Sequence, residues 1–154
     1  MKPQSSINIT NKRAVFNYLI AATYEAGIIL TGTEIKSIRE GKANLTDAYS
    51  IFKNDELWIK NLHISEYKQG SYNNHEPKRE RKLLLNKSEL RKLQSKIKEK
   101  GTTIIPTKIY INERGFAKIE IGLARGKKSF DKRESMKKAE ATREMSRVRK
   151  EYQR

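Results

Sequence analysis

The chain has 154 residues with 36% apolar content, which predicts one modest domain. It has no cysteine, which excludes disulfides and thiolate–metal sites. No apolar run approaches the roughly 18 residues of a membrane span and the first ten residues lack an apolar signal core, so we expect a cytoplasmic protein without a membrane partner. The net charge of +16 instead favours a phosphate-rich partner.

Nearly all of the excess positive charge lies in two segments. Residues 77–100 carry 10 basic against 3 acidic side chains, and residues 125–154 carry 12 against 5, so each segment has a net charge of +7. The alternative is a charged face that only meets solvent. Clustering of this kind indicates nucleic-acid binding, although it does not separate DNA from RNA.

The first predicted elements are an arm, a strand and a strand–helix junction. Residues 1–11 are polar and predict a flexible arm. Residues 13–24 alternate between apolar and polar side chains, which predicts a strand that residues 25–27 interrupt as a bulge or tight turn. Residues 27–30 predict a short buried strand that passes directly into a basic helix.

That first helix has clear start and stop signals. Thr31 and Glu34 have the spacing of a capping box, in which each side chain satisfies a backbone N–H of the first helical turn. Gly41 is placed to end the helix in a left-handed turn. We expect this strand–helix junction to cap one end of a barrel that the other strands build.

Two hairpins and a second basic helix follow. Asn54 and Asp55 predict a turn between strands at 48–53 and 57–62. Residues 69–77 predict a loop and residues 83–85 a short buried strand. The second helix is expected between Asn86 and Gly101, and the second hairpin joins residues 102–111 to residues 116–124, with Pro106 at an edge or bulge.

The pattern as a whole predicts a mainly β fold with a basic tail. About six short strands with two to three helices favour a small closed antiparallel barrel of the oligonucleotide-binding (OB) type over residues 12–124. Residues 125–154 have too few apolar side chains to pack a helix on their own. We therefore expect this tail to be disordered when free and helical only against an anionic partner.

Little in the sequence supports catalysis. His63 and His75 are the only histidines and have no cysteine or H-E-x-x-H partner, so no zinc site is predicted. No nucleotide-binding glycine motif and no G-x-S-x-G motif occurs. Glu25 and Asp47 leave open a metal-dependent barrel nuclease, but hydrogen-bonded structural carboxylates are the simpler interpretation. We expect no catalytic residues, metal or cofactor.

Nucleic-acid contacts have better candidates. Four cations, at Lys78, Arg79, Arg81 and Lys82, lie on a loop that leads into a strand, where side chains and backbone both reach phosphate. Four aromatic residues are candidates for stacking on unpaired bases, although aromatics at strand spacing also suit a core: Tyr18, Tyr24, Tyr49 and Phe130.

Five segments in order resemble one known family. They are N-K-R-A (11–14), Y-E-A-G-I-x-L-x-G-T-E-I-K-S-I-R (24–39), G-K-A-N-L-x-D-A-Y (41–49), N-H-x-P-x-R-x-R-K-L-L-L (74–85) and G-K-K-x-x-D-K-R (126–133). Together they resemble the small protein B family, the tmRNA-binding (SsrA-binding) proteins of bacterial trans-translation. The resemblance covers nearly the whole chain and implies an OB-type barrel with attached helices and a C-terminal tail.

The resemblance also implies a function. It suggests a non-enzymatic, monomeric partner of tmRNA that binds the tRNA-like domain and brings it to stalled ribosomes for peptide tagging. The tail is then expected to enter the vacant mRNA channel near the decoding site and to fold there against small-subunit rRNA. The rival hypotheses are a ribosomal structural protein and a barrel nuclease.

The resemblance carries over residue by residue. The implied RNA face contains Tyr18, Glu25, Leu84 and Lys118, with Lys36, Arg39 and Asn86 as neighbours. The implied ribosome-engaging positions are Lys127, Lys128, Asp131, Lys132 and Arg133, with Phe130 stacking at the channel entrance. Phe16 stands at a position where the family often has His. Phe130 stands at one where His or Tyr is common. Both keep a stacking surface and lose a hydrogen-bonding group.

Overall fold

The computed structural model describes residues 7–70, 73–127 and 129–152, except the side chains of residues 15, 129–132, 134, 135 and 148–152. This part of the chain contains four helices: α1 (Lys12–Asn17), α2 (Gly32–Arg39), α3 (Lys87–Lys96) and α4 (Ser129–Tyr152). Its nine strands are β1 (Asn8–Thr10), β2 (Tyr18–Ile28), β3 (Ala43–Asn44), β4 (Tyr49–Lys53), β5 (Glu56–Lys60), β6 (His63–Ile64), β7 (Arg81–Leu84), β8 (Thr102–Ile111) and β9 (Ala117–Gly126).

The fold is mainly β, and all of its strand pairs are antiparallel. Seven strands form one sheet in the order β1-β8-β4-β5-β7-β2-β9, and β9 pairs in addition with β8. β3 and β6 form a separate two-stranded pair. The strand and helix counts exceed the sequence prediction because β1, the β3–β6 pair, α1 and α4 lacked a clear sequence signal.

The start of the chain differs from the prediction. Asn8–Thr10, assigned to a flexible arm, forms β1 because it pairs with Lys108, Ile109 and Tyr110 of β8. Asn11 is buried and its backbone N–H donates to the Thr107 carbonyl at 2.7 Å. The flexible-arm prediction is therefore wrong for residues 7–11, and residues 1–6 lie outside the described part.

The predicted strand at residues 13–24 is also only partly correct. Its first residues form α1, whose Ala14 packs against Ile105 and Ala124. β2 then runs without a break from Tyr18 to Ile28, so the interruption expected at residues 25–27 is wrong. The irregularity falls at Ala21 instead, where the register with β9 shifts.

The start and stop signals of α2, the β4–β5 turn and the bulge at Pro106 were confirmed. The Thr31–Glu34 capping box starts α2, and Gly41 has the left-handed φ of +77°. Asn54 and Asp55 both have positive φ in the β4–β5 turn, as a tight hairpin requires. The register of β8 shifts directly after Pro106, which confirms the bulge.

The core lies between the strands and the two short helices α2 and α3. Ile38 of α2 and Leu93 of α3 are fully buried among side chains of β5, β7, β8 and β9. The predicted buried strand 83–85 is correct for Leu83 but wrong for Leu84, which is 49% exposed. Successive side chains of a strand point to opposite faces, so only one of the two can lie inside.

Candidate nucleic-acid interface

Three of the predicted RNA-face residues meet across β2. Gly27 pairs with Leu84 of β7 on one side and with Lys118 of β9 on the other. Directly opposed residues share a face of the sheet, and Glu25, two positions earlier on β2, shares it too. A Cβ added at Gly27 would lie 3.4 Å from the Leu84 Cβ, so the glycine leaves Leu84 and Lys118 flanking a strip of bare backbone. We call Glu25, Leu84, Lys118 and the adjoining Tyr110 the strand face.

The carboxylate of the strand face is held by a tyrosine. Tyr110 is opposite Lys118 on β8, and its hydroxyl donates a hydrogen bond to Glu25. Burial raises the pKa of Tyr110 to about 12, and the hydrogen bond and charge of Glu25 act in the same direction. The ring also has the Lys108 Nζ 5.4 Å from its centroid. Tyr110 therefore remains a neutral hydrogen-bond donor beside the Glu25 carboxylate.

A like-charged neighbour sits beside Glu25. Glu120 of β9 is its direct cross-strand partner, an arrangement that destabilises a sheet unless it is compensated. The Thr107 hydroxyl donates to the Glu120 carboxylate, and Lys108 is opposite Glu120 on β8. The strand face is thus a mixture of acidic, basic and apolar groups, and differs from the uniformly cationic surface that the net charge suggests.

The prediction that Arg81 contacts phosphate is wrong, because its side chain does not lie on the surface. Its side chain is 0% exposed, and its Nε donates to the Glu34 carboxylate. Its Nη1 donates to the Leu62 carbonyl at 2.7 Å, and its Nη2 to the Pro77 carbonyl at 3.2 Å. Arg81 and Leu83 are two positions apart on β7 and both point into the core, so the Arg81 side chain cannot contact phosphate.

Glu34 is the centre of this buried ion pair. Its Oε1 accepts from the Arg79 Nη2 at 2.6 Å and from the Thr31 backbone N–H at 2.8 Å, while its Oε2 accepts from Arg81. Burial raises the pKa of Glu34, but the hydrogen bonds from Arg79 and Thr31 and the charge of Arg81 outweigh burial and hold that pKa below its ordinary value. Burial lowers the pKa of Arg81, and the Glu34 charge opposes this. The pair therefore ties α2 to β7.

The other cations near β7 are partly neutralised. Arg79, about a third exposed, shares Glu34, and the Lys82 Nζ lies 3.1 Å from the Glu56 carboxylate. Glu80 accepts from both Lys53 and Lys60, which holds the pKa of Glu80 below its ordinary value. Lys78 is exposed. The loop therefore offers less available charge than its composition predicts.

The helices supply more accessible cations. Lys36 and Arg39 are exposed on α2, and the Lys36 Nζ lies 5.5 Å from the centroid of the Tyr67 ring. Asn86 precedes α3 as predicted, but its side chain makes no capping hydrogen bond and is exposed. The outer surface of α3 carries four exposed cations, and two more follow it in the turn before β8: Lys87, Arg91, Lys92 and Lys96, then Lys98 and Lys100.

Tyr18 does not belong to the strand face. It begins β2, seven residues before Glu25, which corresponds to about 23 Å along an extended strand. Its ring packs beside Ala14 and Ile105. The structure therefore separates Tyr18 from Glu25, Leu84 and Lys118.

The tail leaves the sheet next to α1. The Lys127 backbone N–H donates to the Asn17 carbonyl at 2.8 Å, and α4 begins two residues later. Phe16 of α1 and Met136, Ala139 and Arg143 of α4 line a groove between the two helices. Arg133 is exposed. Lys128 and the side chains of Phe130, Asp131 and Lys132 lie outside the described residues, so their predicted roles stay predictions.

Two further observations bear on other classes of site. Nowhere in the described residues do three or more His, Asp or Glu side chains group so that they could hold a metal ion. None of the described helices is long and apolar enough to cross a membrane.

Sequence reasoning alone missed two pairs of interacting residues. The first is Glu34 with Arg81, and the second is Tyr110 with Glu25. The run of three leucines after Lys82 does not show which of Arg81 and Lys82 points inward, so the sequence carries no clear signal for the first pair. The second pair depends on the β8–β9–β2 register, for which the sequence carries no local signal.

Comparisons with known proteins cover nearly the whole chain. The family model described as SmpB protein matches residues 8–151. A protein of Phocaeicola vulgatus named SsrA-binding protein is 60% identical over 148 residues, which cover 96% of this chain and 98% of that protein. One of Thermosipho melanesiensis with the same name is 55% identical over 134 residues, covering 87% and 91%. A chain in a solved structure described as "tmRNA-SmpB: a journey to the center of the bacterial ribosome" is 52% identical with a TM-score of 0.70, covering 80% of this chain and 87% of that chain.

Proposed function

Because the chain belongs to the SmpB protein family, we propose that it is an RNA-binding adaptor of trans-translation. It binds the tRNA-like domain of tmRNA and delivers that RNA to stalled ribosomes, where the unfinished peptide is tagged. The adaptor acts as a monomer in the cytoplasm, and it works by binding and positioning rather than by catalysis or with a cofactor.

The observation that carries the proposal is the meeting of Glu25, Leu84 and Lys118 across Gly27. Leu84 offers an exposed apolar group to a base or ribose, and Lys118 offers a cation to phosphate. Glu25 accepts hydrogen bonds from base N–H groups or a ribose 2′-hydroxyl and repels phosphate. Such a mixed face supports recognition of one folded RNA surface rather than of any polyanion.

The cations of α2 and α3 complete the interface in this proposal. Lys36 and Arg39 follow closely on the end of β2, and α3 follows directly on β7, which carries Leu84. Phosphate contacts by these cations supply affinity and orientation, while the strand face supplies specificity. Arg79 and Lys82 contribute less because Glu34 and Glu56 already neutralise part of their charge.

A rigid support for this face comes from the strand pairing. The pairs β8–β4, β4–β5, β5–β7, β7–β2, β2–β9 and β9–β8 return to their starting strand. We infer from this cycle a closed six-stranded barrel of the OB type, with β1 attached outside it at β8. Closure leaves no open edge among the six strands, so their register, and with it the strand face, is fixed.

The tail performs the second half of the task. Residues 125–154 carry a net charge of +7, and dense negative charge lines an mRNA channel in the small-subunit rRNA. That channel is vacant only when the message has run out, so a tail that folds there reports stalling. Lys127, Lys128, Lys132 and Arg133 then meet phosphate near the decoding site, Asp131 caps the helix, and Phe130 stacks at the entrance.

The test separates RNA binding from ribosome engagement. Leu84→Asn should weaken binding to the tRNA-like domain about tenfold or more, and tagging with it. The triple variant Asp131→Ala, Lys132→Ala, Arg133→Ala should bind the same RNA normally and fail to tag peptides on stalled ribosomes. Normal tagging by the triple variant, or its loss of tmRNA binding, would contradict this division.

Two rival functions are checked with the same reagents. A ribosomal structural protein would bind bulk rRNA as tightly as tmRNA in competition. A nuclease would shorten either RNA when magnesium is added. The adaptor should prefer tmRNA and leave both RNAs intact.

A further inference from the structure

In the described part of the chain, β2 has a neighbouring strand on one of its sides for only part of its length. β2 is eleven residues long and pairs with β9 from Tyr18 to Gly27, but with β7 only at Gly27 and Ile28. β7 ends at Leu84, and the chain then turns into α3. The contact with β7 completes the cycle of strands, while residues 19–25 of β2 extend past the end of β7. We call the side of residues 19–25 that faces away from β9 the free side of β2.

The backbone groups on the free side are those of Thr23 and Glu25. The Ile29 N–H donates to the Lys82 carbonyl at 3.0 Å, which continues the ladder between β2 and β7. In an antiparallel ladder every second residue turns its N–H and C=O towards the same neighbour, so Gly27, Glu25 and Thr23 face the same way as Ile29. None of the described residues makes a backbone hydrogen bond to Thr23 or Glu25 on this side. Both residues can therefore pair with an added strand.

An apolar groove of about 440 Å³ lies along the free side, between β2, the C-terminal end of α3 and the adjoining ends of β8 and β9. Leu19 is 52% exposed there, and the small side chains of Ala21 and Ala22 leave room beside it. Thr102 also lines the groove, and its hydroxyl oxygen is buried without a hydrogen-bond partner among the described residues. The other apolar side chains that line the groove are Ile20, Tyr24, Leu123 and Ala124.

The two ends of the free side differ in charge. Arg125 is opposite Leu19 in the β2–β9 register, and Arg125 and Lys96 both line the groove. These two cations share one carboxylate, because the Glu99 side chain lies 2.6 Å from the Arg125 Nη2 and 3.9 Å from the Lys96 Nζ. Two more exposed cations follow in the turn before β8, Lys98 and Lys100. Acidic groups therefore suit the Leu19 end and are repelled at the other end by Glu25.

We propose that the free side of β2 and the groove bind an extended segment of a protein partner, which adds an antiparallel strand to the sheet. Strand addition uses backbone hydrogen bonds for affinity and pockets for alternate side chains for specificity. Single-stranded RNA would need exposed aromatic rings for stacking, whereas this groove is mostly aliphatic and Tyr24, its only ring, is half-buried. The site goes beyond the proposed function, because its binding chemistry requires no RNA.

The register defines the chemistry of the bound segment. An antiparallel strand that continues the direction of β7 runs from Glu25 towards Leu19. Its alternate residues face Tyr24 and Ala22, which pack on the core, so these positions should be apolar. The residues that follow reach Lys96 and Arg125 and should be acidic. The partner segment is thus extended, apolar at alternate positions, and acidic at its C-terminal end.

The first test titrates the full chain with the labelled peptide T-V-T-L-T-D-E-D, followed by fluorescence polarisation. We expect saturable binding with a Kd below about 1 mM. Amide hydrogen exchange should slow at Thr23 and Glu25 when the peptide is bound. The rearranged peptide D-E-D-T-V-T-L-T places its acidic residues beside Glu25 and should bind about fivefold more weakly. N-methylation of the third residue, which faces Thr23, should weaken binding about tenfold, whereas N-methylation of the fourth should not.

The second test alters the protein, with a matched control for each change. Thr23→Pro removes the N–H on the free side and should weaken peptide binding about tenfold, whereas Thr23→Val keeps this N–H and should bind normally. Lys96→Glu should weaken binding about fivefold, and Lys68→Glu, an exposed change outside the groove, should not. Thermal unfolding checks that each variant is folded. If Thr23→Pro is unfolded, the N-methylated peptides test the same hydrogen bond from the other strand.

Three results would overturn the proposal. The first is no saturable binding of the peptide up to about 1 mM. The second is binding that leaves amide exchange at Thr23 and Glu25 unchanged, because an added strand must protect these groups. The third is loss of tRNA-like domain binding in Thr23→Pro without any binding of the peptide, which would assign the groove to RNA.

Discussion

Replacing Glu34 by Gln should destabilise the fold more than any surface charge change. Glu34 and Arg81 are both fully buried, and the carboxylate accepts hydrogen bonds from Arg79, Arg81 and the Thr31 N–H. Gln has nearly the same shape but only one acceptor oxygen, so it leaves the Arg81 charge without its counterion. Breaking a buried pair in this way costs about 3–5 kcal/mol. That is a large part of a typical stability of about 5–15 kcal/mol.

Urea unfolding at pH 7 measures this cost against two smaller changes. Glu56→Gln removes an exposed pair with Lys82 and should cost about 0–1 kcal/mol. Thr31→Ala removes the α2 cap but keeps the buried pair, and should cost about 1 kcal/mol. The expected order of free-energy loss is therefore Glu34→Gln, then Thr31→Ala, then Glu56→Gln.

The stability lost in Glu34→Gln should depend on pH. The folded-state pKa of Glu34 is lowered, so its contribution is fully present above the unfolded-state pKa of about 4.3 and is lost as pH falls through the folded-state value. The stability gap between the unaltered chain and Glu34→Gln should therefore shrink in acid. A gap below about 1 kcal/mol at pH 7, or a gap that does not shrink, would refute this account of the Glu34–Arg81 pair.

Three further predictions concern the strand face, the charge of α3 and the tail. Ultraviolet titration should find one tyrosine that ionises near pH 12, and Glu25→Gln should lower that value because it removes the charge beside Tyr110; an unchanged titration would contradict the pair. Affinity for the tRNA-like domain should fall with salt, and changing Lys87, Arg91 and Lys92 to Ala should reduce the log–log slope by about 0.7–0.9 for each lost phosphate contact. An unchanged slope would place α3 away from the RNA. β9 extends the folded domain from the predicted end at residue 124 to Gly126, so a chain that ends at Gly126 should keep its urea midpoint and its tmRNA binding. An unfolded product would contradict the expectation that this domain folds without the tail.

Sequence reasoning succeeded where a few neighbouring residues determine the structure. The α2 capping box and the β4–β5 turn each depend on residues within one helical turn or one hairpin. It failed at α1 and β1, whose conformations depend on distant partners. Ala14 packs on β8 and β9, and Asn8–Thr10 pairs with residues about a hundred positions later. No local pattern encodes such contacts.

The candidate site divides in the same way. The family resemblance supplied Glu25, Leu84 and Lys118, but their meeting across Gly27 follows from two strand registers. The charge count predicted four available cations at residues 78–82. It could not show that Arg81 faces inward or that Glu34 and Glu56 pair with Arg79 and Lys82. Formal charge therefore overstates how much of a surface is available to RNA.

The described side chains of the tail helix α4 make few apolar contacts with the rest of the fold. Met136 and Met145 are 57% and 68% exposed, whereas Ala139 is half-buried in the groove beside Phe16. Ordering costs about 1–2 kcal/mol per residue, so we expect the few apolar contacts of the described α4 side chains to be too weak to hold its 24 helical residues without a partner. The prediction that residues 125–154 are disordered when free is checked by circular dichroism of the isolated segment, which should show coil. None of the strand-face residues belongs to α4, so variants of the strand face and variants of the tail can be tested independently within one chain.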